Sequence, residues 1–62
     1  EDSLLEAFRL RMIGYNLFRL ERFQDARAAF WVSLNFLSTE VAVNEVNDWL
    51  ERCEWMEGRG SE

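Results

Sequence analysis

Few side chains in this sequence can do chemistry, and most of those are carboxylates. Glu40, Glu45, Asp48, Glu51 and Glu54 lie close together along the second half of the chain. Carboxylates in pairs can move protons, and in clusters they can hold a hard cation. No EF-hand loop and no Glu-x-x-His spacing accompanies them. They are therefore expected to form a solvated acidic face, with attraction to a basic partner as a secondary role. His and Lys are absent, which removes the commonest general base and the usual amine nucleophile. Cys53 is the only cysteine. It lies on the apolar stripe Ala42, Val46, Trp49, Cys53 and Met56, so it is expected to be core, with a thiol pKa raised by burial. Nor is there a glycine-rich phosphate loop. The sequence predicts no catalytic residue, no metal site and no cofactor, and it points to binding instead of reaction.

Length and charge narrow the binding partner. The chain has 62 residues, enough for one small domain with a small core. One cysteine forms no intrachain disulfide, so stability must come from dense packing or from a partner. The apolar fraction of 48% and aromatic fraction of 15% exclude a disordered tail. Residues 1–31 carry five arginines and five carboxylates; residues 32–62 carry two and seven, which accounts for the net charge of −5. That balance argues against nucleic acid, whose phosphates require a basic face. No apolar run is long enough to span a membrane, and the acidic start EDSLLEAF is not a signal peptide. A start at Glu1 without Met suggests a fragment or a processed product. The lone cysteine fits a reducing, intracellular compartment.

Periodicity of 3.6 residues, with no alternating strand pattern, predicts an all-α chain of three helices. The first spans about Ser3 to Leu20, with Ser3 and Glu6 spaced as a capping box. The second runs from about Phe23 to Leu37. The third runs from about Glu40 to Met56, is entered through Ser38-Thr39 and is capped near Gly58. Residues 1–57 would form one unit and 58–62 a flexible tail. Leu10, Ile13, Leu17 and Leu20 make one stripe; Phe23, Ala26, Phe30, Ser33 and Leu37 make another. On one continuous rod, residues 17 and 26 would lie on opposite sides, because nine steps of about 100° separate them. A reversal near Glu21-Arg22 brings both stripes to one seam, giving an antiparallel hairpin. Gly14 costs roughly 1 kcal/mol against Ala inside a helix. Close approach of the facing helix at Ala26 and Ser33 would offset it.

On these residues the stretch from about 7 to 40 resembles a tetratricopeptide repeat, a helix–turn–helix unit of about 34 residues. Leu10, Ile13, Gly14, Leu17, Phe23, Ala26, Phe30 and Ser33 fall at the repeat's signature spacing. Gly14 matches its small first-helix position, Ala26 its alanine and Phe30 its following large residue. The chain departs from the pattern at Leu10, Leu17, Glu21, Ser33 and Ser38, where tryptophan, tyrosine, glycine, alanine and proline are frequent. The third helix does not repeat the signature and would close the repeat or begin another. The resemblance implies a protein-binding scaffold or adaptor module. It places the partner surface on the first helix at Phe8, Arg11, Tyr15, Phe18 and Arg19, and the helix-packing contact at Gly14, Ala26, Phe30 and Ser33.

The first helix also bears a second apolar row, Leu5, Phe8, Met12 and Tyr15, roughly opposite the first. A helix apolar on both sides needs neighbours on both. Self-association, with a homodimer favoured, is the expectation. The alternative is a plain three-helix structural bundle, dimeric and unrelated to any repeat.

Overall fold

The computed structural model describes residues 3–60. Three α-helices carry nearly all of it: α1 (Ser3–Arg19), α2 (Phe23–Ser33) and α3 (Glu40–Gly60). A single 3-10 turn, Leu34–Phe36, follows α2. No strand occurs among the described residues. The chain is all-α, a hairpin followed by a third helix.

The reversal lies at the quartet the stripes require. α1 ends in a Schellman turn: the Arg22 N–H donates to the Leu17 carbonyl at 2.9 Å, and the Glu21 N–H to the Phe18 carbonyl at 3.0 Å. This geometry requires a left-handed residue, and Glu21 takes it with φ 63°. The turn is thus made by a residue whose Cβ opposes it. Two contacts hold it in place: the Phe18 ring meets Phe23 edge-on across the turn at 5.0 Å, and Arg22 pairs with Asp25 at 2.7 Å in the first turn of α2.

The second helix is shorter than its apolar stripe suggests. Buried Ser33 donates its hydroxyl to the Phe30 carbonyl at 2.6 Å. The Leu34 N–H then turns to the Trp31 carbonyl, three residues back. Hydrogen bonding tightens from α to 3-10 at that point, and Leu37 leaves in an extended conformation, φ −101° and ψ 140°. Thr39 opens α3 as its N-cap, accepting from the Ala42 N–H at 3.3 Å.

At its far end, α3 runs through Gly58 to Gly60, so Gly58 does not cap it. Arg59 lies over the Trp55 ring at 4.7 Å and supports this last turn. Of the expected tail, residues 61 and 62 lie outside the described residues. Ser3 is the first described residue of α1, and what precedes it lies outside them as well.

Ala26, Phe30, Val46, Leu50 and Cys53 form the core, drawn from α2 and α3. α1 adds Ala7 and Gly14 as its buried residues. The contacts fix the helix directions. Phe18 meets Phe23 and Tyr15 meets Phe30, so α1 and α2 run antiparallel. Arg11 pairs with Glu45 and Tyr15 packs on Trp49, both separations of 34 residues. α1 and α3 therefore run parallel, with α3 displaced along the sequence by that constant step.

Candidate functional site

Helix α1 carries all five residues expected to bind a partner, and the structure divides them. Tyr15 and Phe18 pack against the core. The Tyr15 ring lies 5.5 Å from Phe30 and 5.1 Å from Trp49; Phe18 meets Trp49 edge-on at 5.2 Å. Trp49 stacks on Phe30 at 5.6 Å and so joins all three helices. The Arg11 guanidinium reaches across to Glu45 at 3.6 Å and ties α1 to α3. Phe8, 53% exposed, and Arg19 remain on the open surface.

The packing set comes together. Gly14, Ala26, Phe30 and Ser33 are all buried. The atoms nearest to Gly14 belong to the Phe30 side chain. A Cβ at Gly14 would lie 2.7–2.9 Å from three atoms of the Phe30 ring. The glycine makes room for an aromatic side chain, which closes the α1–α2 seam.

Cys53 is fully enclosed in the core. Burial pushes its thiol above the ordinary value of 9.0, and the neighbouring Glu57 carboxylate adds to the rise. A neutral thiol of this kind is a packing residue. Glu57 itself approaches Arg27 of α2 at 3.0 Å. Among the described residues, no group of His, Cys, Asp and Glu has metal-ligand geometry, and no helix is long and apolar enough to cross a membrane.

Beyond Phe8, exposed apolar surface lies outside the expected five residues. Leu4, Leu5, Met12 and Ile13 are exposed along α1, besides Phe8, and Leu20 in the turn that follows it. On α2, Trp31 is 65% exposed and stands over an open groove of about 450 Å³ between α2 and α3, with Ala28 and Leu50 in its walls. On α3, Trp55 is 62% exposed. It borders a shallow, open depression on the surface of α3 itself, with Asp48, Glu51 and Arg52. Sequence reasoning marked the second α1 row as apolar but did not single out Trp55, which lies off the apolar stripe of α3.

Neither a protein-family model, a curated protein nor a solved structure matches this chain.

Proposed function

We propose that this chain is a protein–protein interaction module of the tetratricopeptide type that associates with further copies of itself. The observation that carries the interaction reading is the number of exposed large apolar side chains on α1 and in the turn after it, Leu4, Leu5, Phe8, Met12, Ile13 and Leu20. A domain this small gains little from its own core, and apolar surface of this extent marks contact with another molecule.

The repeat type draws its support from register. In a stack of such repeats, equivalent helices recur every 34 residues and lie side by side. Arg11–Glu45 and Tyr15–Trp49 place α3 beside α1 at that interval. Helix α3 then stands where the first helix of a following repeat belongs. Its own sequence lacks the small residue at the matching position: Asp48 stands 34 residues after Gly14.

Two measurements test the reading. Sedimentation across a concentration series should show assembly that grows with concentration; a monomer throughout would overturn self-association. Residues 7–40 joined in tandem three or more times should unfold at rising temperature as repeats are added, the behaviour of a stack with favourable interfaces. A temperature independent of repeat number would sink the repeat relationship.

A further inference from the structure

The exposed faces of α1 and α3 differ in charge as well as in shape. α1 carries three arginines and one carboxylate, Glu6, which lies beside Arg9 at 3.8 Å. The Glu6 side chain is itself 46% exposed and offsets Arg9, so the outward charge of α1 rests on Arg19 near its C-terminal end. α3 carries six carboxylates and two arginines. Those arginines already lie over aromatic rings of their own helix, Arg52 over Trp49 at 4.6 Å and Arg59 over Trp55. One outer face is therefore apolar with a cationic C-terminal end at Arg19, the other aromatic and anionic. A two-fold contact of α3 with α3 would bring like charges together, whereas α1 against α3 brings opposite charges together.

From this we infer that copies of the chain associate head to tail, the outer face of α1 in one copy docking on the outer face of α3 in the next. The inference rests on the self-association proposed above. Phe8 and Met12 are the apolar knobs, both exposed on one side of α1. The depression on α3 bordered by Asp48, Glu51 and Trp55 receives them. Arg19, on the same side of α1, faces the carboxylates Asp48 and Glu51. The chain already uses this chemistry internally, where α1 meets α3 through the Arg11–Glu45 pair and through Tyr15 and Phe18 on Trp49. The junction between copies extends the same parallel pairing of helices. Such a contact is heterologous, so each assembly keeps one free α1 face and one free α3 face unless it closes into a ring.

Sedimentation velocity on the wild-type chain and two variants, Met12→Glu and Trp55→Glu, tests this. Both positions are exposed, and circular dichroism checks that helix content is kept. Each variant alone should associate at least about tenfold more weakly than wild type, the change expected when an interface anchor is lost. Mixed in equal amounts, the two should form a one-to-one dimer and nothing larger, because one intact junction remains between them. Raising the salt concentration should weaken wild-type assembly. Should Trp55→Glu unfold, Asp48→Arg replaces it. Wild type that associates while the α3 variant behaves identically overturns head-to-tail docking and leaves self-association standing. So does a mixture that stays monomeric although wild type assembles. Wild type that never associates overturns both.

Discussion

Phe30 lays its ring against Gly14, with three ring atoms inside the space a Cβ would occupy. The consequence for stability has a definite sign. Gly14→Ala gains roughly 1 kcal/mol of helix propensity and forces a fully buried ring to move. Overpacking of this kind costs about 1–3 kcal/mol, so the variant should be less stable than wild type in urea. Pairing it with Phe30→Leu should recover part of the loss, a coupling that a double-mutant cycle reads directly.

Glu21 presents the opposite case. Its left-handed backbone is unfavourable for any residue with a Cβ, and its position is the one glycine commonly takes. Glu21→Gly should stabilise the chain by about 1 kcal/mol, measured as a higher melting temperature at an unchanged m-value. A destabilised variant would show that the Glu21 side chain makes a contribution its backbone conceals.

The cap of α3 offers a third test. Thr39→Ala removes the acceptor for the Ala42 N–H and should cost about 1 kcal/mol. Thr39→Ser, which keeps the oxygen, should lie close to wild type. Equal losses in both would remove the cap from the account.

Cys53 gives a pH dependence with a known direction. Its folded pKa lies above the ordinary 9.0 because burial opposes the thiolate. Below pH 9.0 the thiol is neutral in folded and unfolded chains alike, and its contribution is complete. As pH rises past 9.0 the unfolded chain ionises first, so stability falls toward the folded pKa. Cys53→Ala should lower stability at neutral pH by leaving a cavity, yet remove this part of the alkaline slope. Thiol-specific alkylation at pH 8 should be slow in the native protein and fast in denaturant.

Phe8 and Tyr15 separate surface from core on one helix. Phe8→Ser should change stability little, since half the ring is already in water. Tyr15→Ser withdraws a ring that touches both Phe30 and Trp49. It should cost about 2–3 kcal/mol, toward the lower end of large-to-small core changes. Similar losses in the two variants would contradict the division.

Much of the fold was legible because it is written in helical phase. Two apolar stripes that cannot share one rod demand a reversal, and it falls between Leu20 and Phe23. The conformation that makes the turn was not legible: a glutamate gives no sign of a positive φ. Gly14 was readable as a close approach, but that the Phe30 ring would be its nearest neighbour was not. The expected partner surface divided for a related reason. Tyr15 and Phe18 have the helical spacing of a surface row, and only the fold reveals that Trp49, more than thirty residues later, covers them. Gly58 looked like a stop because glycine commonly follows a helix. Local sequence does not show that Glu57 reaches Arg27 and Arg59 lies over Trp55, contacts that flank it and hold the last turns.

Trp49 touches rings from α1 and α2 while belonging to α3, and the other two tryptophans, Trp31 and Trp55, stand largely in solvent. The molecule thereby carries its own optical gauge. The blue-shifted part of its indole emission comes from the residue that joins the third helix to the hairpin. Detachment of α3 with all three helices intact would move that emission to the red before any change in circular dichroism.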